Sequence, residues 1–278
     1  MRSIESFDPS YDLRKYVRAY AERKLVVSGQ PVIAPVPARL EQTMEFQFGD
    51  SFKVGFDDGS WLSTPRITVV GPQTWTRGQA EFQGQIHSFT VFFQPSGFSQ
   101  IFDVPMKDLV NKAVDATSIL SQRIRAVWNK LGEADSIGNR AGIIERFLRE
   151  TLPHKQCHHR MMDTSNRLLM LRGRIGIAEL ARQEGMGLRH FERRFNEHVG
   201  VGPKLHARIA RFQTALDMKV ASPQKTWLEI SHALEYHDQM HLIHDFKSLG
   251  GNSPGRVLEH LCGMRPDVLA ASSLDATE

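Results

Sequence analysis

The stretch from residue 177 to residue 199 leaves the chain few ways to fold. Residues 177–184 read IAELARQE and carry Ile177, Leu180 and Ala181 at helical spacing. Gly185-Met186-Gly187 interrupts them, and a second periodic run follows over 188–199. Glycine suits the left-handed backbone of a tight turn, so the pattern is helix, turn, helix. The second helix of that unit buries Phe191 and Phe195 and leaves Arg189, Glu192, Arg193 and Asn196 on its outer face. About fifty residues later the plan repeats: 227–234, then Glu235-Tyr236-His237-Asp238, then 239–249 with Leu242 and Phe246 inward. Between the two lies 203–218, PKLHARIARFQTALDM, which opens with proline at a favoured first-turn position and keeps Leu205, Ile209, Phe212 and Leu216 on one stripe. It reads as one rigid connecting helix.

Outer faces of this composition suit a groove in double-stranded DNA. Arginine forks onto guanine, glutamate accepts from cytosine, and a further arginine holds phosphate. Two second helices held roughly 34 Å apart by a rigid connector enter successive major-groove turns on one face of a duplex. Lys204, at the positive end of the connector, is a natural phosphate contact.

The rest of the chain has a different character. From about residue 26 to residue 94 short apolar runs (44–48, 67–70, 87–93) alternate with Gly49-Asp50, Asp58-Gly59 and Gly71-Pro72, the pattern of an antiparallel β domain. In its last strand His87, Phe89, Val91 and Phe93 share one face, with Ser88, Thr90, Phe92 and Gln94 on the other, as in a half-buried wall. Past Pro95 the apolar spacing becomes helical over 104–110, 118–131 and 137–152. The stretch PHKQCHHR is polar and aperiodic and marks an interdomain linker at 153–160. The expected domains are therefore 1–152, with helices at 104–152, and 161–262, with helix-turn-helix units at 177–199 and 226–249 around a 203–218 connector, followed by a flexible tail at 263–278.

Composition narrows the function classes. The first residues lack an apolar signal region and no stretch matches a membrane span, so the expectation is a cytoplasmic chain without a membrane partner. Cys157 and Cys262 are the only cysteines and read as unpaired thiols. A net charge of +4 leans only slightly toward a polyanion, but distribution says more: His87 is the one histidine before His154.

Several strings in order identify the C-terminal third as resembling the AraC/XylS family of transcription regulators: IAELARQEGMGLRHFERRF, VGVGPK, RIARF and DQMHLIHDFKSLGGNSP, within roughly 168–258. The resemblance implies base-facing roles for Arg189, Glu192 and Arg193 in the first unit and for Gln239, Met240 and His244 in the second. Arg208 and Arg211 are implied to be structural or phosphate-directed. The sequence departs from the family pattern at Glu235, where glycine is usual, at Met240, where a small polar residue is common, and at His244, where arginine is frequent. Weaker readout is expected from the second unit. LRKYVRAY, VVGPQTWTRG and FFQPSGF resemble, more loosely, the cupin-like sensor domains of the family. The implied fold is multidomain: a β-rich cupin-like barrel or sandwich with trailing helices, then an all-α double helix-turn-helix domain. The implied function is an effector-responsive activator, not an enzyme, with double-stranded DNA, a small-molecule effector, RNA polymerase and a second copy of the chain as partners.

Each histidine group has a competing reading. A catalytic metal site in the β domain needs several histidines, and His87 alone reads as a satisfied or pocket-lining residue and the one candidate for ligand contact. His154, Cys157, His158 and His159 have no second cluster at finger spacing and read as a solvated linker. His237, His241 and His244 are spaced to grip a metal, but they fall on the expected DNA face and are read as DNA contacts. The expected DNA-binding set is thus Arg189, Glu192, Arg193, Asn196, Lys204, Gln239, Met240, His241, His244 and Lys247, with no metal and no cofactor. The alternative is a helical protein-interaction module beside a small-molecule-binding cupin-like domain.

Overall fold

The computed structural model describes residues 2–55, 59–76, 78–153 and 160–262. The tail from 263, and residues 154–159 of the expected linker with His154, Cys157, His158 and His159, lie outside the described residues. Two compact units are present: Met1–Ile33, Glu41–Pro72 and Gly78–His158 form the first, and Ala34–Leu40, Gln73–Arg77 and His159–Glu278 the second.

The first unit is built on one sheet. Its strands are β1 (Arg2–Phe7), β2 (Val17–Pro35), β3 (Thr43–Gln47), β4 (Lys53–Gly55), β5 (Trp61–Ser63), β6 (Ile67–Val70), β7 (Gln79–Phe93) and β8 (Ala113–Asp115). The order is β1-β2-β7-β3-β6-β8, with β4 pairing both β5 and β7. β1 runs antiparallel to β2, β3 to β6 and β7, and β6 to β8. Alternation in β7 sends Phe89, Val91 and Phe93 into the core, where Phe89 stacks on Tyr20 at 5.8 Å and Phe93 meets Phe98 edge-on at 5.3 Å. Ser88 and Phe92, on the opposite face, are buried as well, so this end of β7 is covered on both sides rather than half-buried.

The sheet starts earlier than its apolar pattern suggests. β2 carries Arg18, Glu22 and Lys24 among its apolar residues, and these charges hide the alternation. Glu22 is 3% exposed, and it lies 3.2 Å from Arg140, 3.0 Å from Lys24 and 2.6 Å from His87. A buried carboxylate persists because those partners replace its hydration.

Helices α1 (Gly97–Phe102), α2 (Ala116–Ile119), α3 (Arg123–Glu133) and α4 (Ile137–Thr151) belong to this unit. The helix expected over 104–110 is only a three-residue 3-10 turn, Met106–Asp108. Pro105 cannot sit inside a helix, and the helical signal came from Met106 and Leu109, both buried from an irregular loop. The run 118–131 is likewise divided, because Leu120 turns extended between α2 and α3. In α4, Ala141, Ile144, Phe147 and Leu148 enter the core at three- and four-residue spacing, and the Ser136 hydroxyl caps the helix by accepting from the Asn139 N–H.

The second unit holds α5 (Arg160–Met170), α6 (Ile177–Gln183), α7 (Leu188–Val199), α8 (Pro203–Ala221), α9 (Trp227–Ala233), α10 (Gln239–Gly250) and α11 (Pro254–Cys262). Helix α8 has 19 residues and is about 28 Å long at 1.5 Å per residue. One end gives Ala207 to a core with Leu168, Leu180, Phe191 and Phe195. The rest gives Ile209, Phe212 and Leu216 to a second core with Ile230, Leu234, Leu242 and Phe246. Phe212 and Trp227 both stand edge-on to Phe246, at 4.8 and 5.1 Å. His206 is fully buried on α8 against the edge of Phe195, and burial pushes its imidazole down to about 3, so it packs as a neutral ring.

Two early segments complete this second core. Ala38 and Leu40 are buried in it. The Ala38 N–H (2.8 Å) and the Thr76 hydroxyl (3.0 Å) both donate to the Leu249 carbonyl, one of the carbonyls a helix end leaves unpaired. Arg39 and Gln73 exchange backbone hydrogen bonds at 2.9 and 2.8 Å, tying the two segments together. Leu40→Ala should therefore cost the helical unit about 2–5 kcal/mol. The check is chemical denaturation of the full chain followed by its helical signal; an unchanged midpoint would show that this segment adds nothing to the core.

Candidate nucleic-acid interface

The two helix-turn-helix units use the same local devices with different residues. In the first, Gly185 takes φ +64° two residues past α6, and Gly187 precedes α7 without a side-chain cap. In the second, Glu235 holds the equivalent place at φ +56°, a left-handed conformation that costs an ordinary residue roughly 1–2 kcal/mol. Stronger caps accompany it. Thr226 and Glu229 form a reciprocal capping box at α9, and Asp238 Oδ1 accepts from the His241 N–H at 2.7 Å to start α10. The His241 N–H and the His237 ring hold the Asp238 carboxyl below the usual carboxylate range.

Helix α7 is amphipathic, with Phe191, Phe195 and Val199 buried. Arg189, Arg193 and Asn196 are exposed, and Glu192 is half-buried beside them. At 100° per residue these four share one stripe. Glu192 is engaged rather than open, since Lys204 Nζ lies 3.4 Å from its carboxylate. Arg193 Nε stands 3.9 Å from Glu197, an exposed pairing that little holds in place. Arg194, exposed on the flank of the stripe, was not anticipated; its RR context with Arg193 was the available signal.

On α10, Leu242, Phe246 and Leu249 are buried, while Met240, His244 and Lys247 are exposed at i, i+4 and i+7 and form one stripe. Gln239 is half-buried, a third of a turn from Met240, and His241 is exposed on the other flank. The stripe on α10 is thus carried by Met240, His244 and Lys247, with Gln239 at its buried margin. Arg208 donates from Nε (3.0 Å) and Nη2 (2.8 Å) to Asp245 Oδ1, fixing α10 on α8, and the Arg211 guanidinium lies over the Tyr236 ring at 5.2 Å. Both arginines of the RIARF string therefore hold the turn and helix in place.

In the first unit, His87 is tied to Glu22 at 2.6 Å and meets Phe48 edge-on at 5.0 Å. Burial alone would raise the Glu22 carboxyl, but His87, Lys24 and Arg140 outweigh it and hold the group below its usual range.

Residues 180–260 match the model of a helix-turn-helix domain family. The second unit carries an AraC-type helix-turn-helix domain. The match covers the helix-turn-helix helices of this unit, 81 of the 278 residues. Residues 5–115 match a domain family of unknown function, DUF6597. No curated protein matches the chain in sequence. Among solved structures, the chain is similar to ToxT from Vibrio cholerae, at 11% identity and a TM-score of 0.49 over 93% of this chain and 98% of ToxT. A ToxT structure with an unsaturated fatty acid bound is similar at 9% identity and a TM-score of 0.49, over 88% and 95% of the two chains. Among the described residues no helix is long and apolar enough to cross a membrane.

Glu235→Gly removes the left-handed strain at the second turn, against the backbone entropy of glycine and an exposed 3.4 Å pairing with Arg174. A net gain of about 0.5–1 kcal/mol is expected, with DNA affinity unchanged or raised. Thermal melting and a binding titration check this; a large loss of either would reveal a contact by the glutamate that the geometry does not contain.

Proposed function

We propose that this chain is a DNA-binding transcription regulator that reads a bipartite double-stranded DNA site, with α7 in one major groove and α10 in the next, and acts as an effector-responsive activator. The observation that carries the reading is the pair of exposed stripes, Arg189/Arg193/Asn196 and Met240/His244/Lys247, each on the second helix of a unit packed against α8. Arg189 and Arg193 have the guanidinium forks that distinguish guanine, and Asn196 offers both a donor and an acceptor. Glu192 reads cytosine only when Lys204 moves to a phosphate. Their 3.4 Å pairing thus keeps the carboxylate neutralised until DNA supplies a competing anion. The second stripe presents one cation, one imidazole and one thioether, so it contributes fewer forked hydrogen bonds and more apolar contact.

The β-rich unit takes the sensor role, with a small molecule as effector, and a second copy of the chain and RNA polymerase complete the assembly. The AraC/XylS resemblance of the C-terminal strings supports this part of the reading. His87, held by Glu22, contributes to the sensor as part of a fixed ionic cluster.

Two substitutions in the full chain separate base reading from phosphate holding. Arg193→Ala is expected to cost about 1–3 kcal/mol at the specific site and to relax base preference at one position. Lys204→Ala is expected to weaken binding to every sequence about equally and to lower the salt dependence by about one unit. Binding titrations on specific and scrambled duplexes at several salt concentrations read both. Uniform loss in both variants would overturn the assignment of roles.

A further inference from the structure

At the start of α10 the fold gathers three metal-capable side chains. His237 and Asp238 come from the turn and His241 from the first turn of the helix, all exposed, with ligand atoms within 4.8 Å of one another. Among the described residues this is the one such group. His237 Nδ1 lies 3.2 Å from Asp238 Oδ2, and His241 Nδ1 lies 3.8 Å from Asp238 Oδ1. A tetrahedral zinc ion with bonds of about 2.0–2.1 Å needs ligand atoms about 3.4 Å apart. The His237–Oδ2 separation is near that value, His241 faces the other oxygen of the same carboxyl at 3.8 Å, and rotation of the exposed side chains brings one ligand atom from each residue to that spacing. Asp238 is also fixed in advance: Oδ1 caps α10 through the His241 N–H, and Oδ2 retains lone pairs for a cation. His244, spaced for the same role in sequence, lies on the DNA-facing stripe and does not join the group.

We infer that His237, Asp238 and His241 form a binding site for a divalent transition metal of zinc's ligand preference, with water as fourth ligand, at the base of the second reading helix. Two neutral imidazoles and one carboxylate carry a charge of −1, and bound Zn2+ turns it to +1. A negative cluster beside Met240 and His244 repels phosphate, whereas the metal-loaded cluster attracts it. Occupancy therefore strengthens binding to duplexes of any sequence rather than changing which bases are read. The metal also joins the turn to the helix, restraining the segment that Glu235 holds in a left-handed conformation.

The test is equilibrium dialysis of the full-length chain against micromolar zinc chloride, without DNA, comparing the wild type with His237→Ala and His241→Ala. Both histidines are exposed, and unchanged circular dichroism confirms that the variants fold. Each variant is expected to bind one zinc equivalent fewer than the wild type; zinc held elsewhere in the chain is common to all three and cancels. Asp238→Asn, which keeps a cap acceptor but loses the charge, is expected to bind the same equivalent at least tenfold more weakly. Equal zinc content in the wild type and both alanine variants would overturn the site. Because this arm contains no DNA, its failure is distinct from failure of the DNA-reading proposal. In a second arm, zinc is expected to tighten wild-type binding to a random-sequence duplex several-fold at low salt and to leave both alanine variants unaffected. Equal responses in the three proteins would overturn the effect on DNA.

Discussion

Helices α7 and α10 both depend on the apolar stripe of a single connecting helix. Ala207 at one end of α8 closes the core under α7, while Ile209, Phe212 and Leu216 close the core under α10. Neither unit has enough apolar surface in its two short helices to be stable alone, since α6 and α9 have seven residues each. Burying both against one rigid helix supplies the missing surface. The same packing keeps the outer faces of α7 and α10 exposed, because Phe191 and Phe195 of α7 and Leu242 and Phe246 of α10 pack in cores shared with α8. Arg208 and Arg211 add direction to that packing: one holds Asp245 of α10 and the other lies over Tyr236 in the turn. The core of the second unit is not made from contiguous sequence, because Ala38, Leu40 and Thr76 finish it at the carboxyl end of α10.

How much of this was legible in the sequence varied with how local the determinant was. The helix-turn-helix pattern stood out because a glycine at 185, an apolar period of three to four and a proline at 203 act over a few residues each. The left-handed turn at Glu235 was legible only by comparison with the glycine at the first turn and in the family pattern, since nothing in glutamate itself signals positive φ. The antiparallel sheet was recognised where its residues alternate, in β3, β6 and β7. It was missed in β1 and the first half of β2, where Glu22 is buried by ionic partners distant in sequence, Arg140 among them. The helical reading of 104–110 failed because Met106 and Leu109 have the spacing of a helix face while Pro105 forbids the helix. The pairings of Glu192 with Lys204 and of His237 and His241 with Asp238 depend on geometry that side-chain spacing suggests without fixing.

The charges on the two helices form two different designs. On α7 three arginines outnumber two glutamates, with Lys204 3.4 Å from Glu192 and Arg193 3.9 Å from Glu197. On α10 the lysine is at the far end, and Asp238 with its two histidines occupies the near end. Strong capping by Asp238 and by the Thr226–Glu229 box makes the second unit well ordered at its helix starts but poorer in cations. On the proposed reading, the first unit therefore offers more forked donors to bases than the second.

The central claim, that two units on one chain read two adjacent sites, is tested most directly by selecting a random duplex library on the full-length protein at moderate salt. The full chain is required because Ala38, Leu40 and Thr76 belong to the core of the reading unit. The account predicts enrichment of two short motifs centred about 10–10.5 base pairs apart, the stronger contacted by α7. Salt-sensitive binding without enrichment, or a single motif with no partner at that spacing, would contradict it.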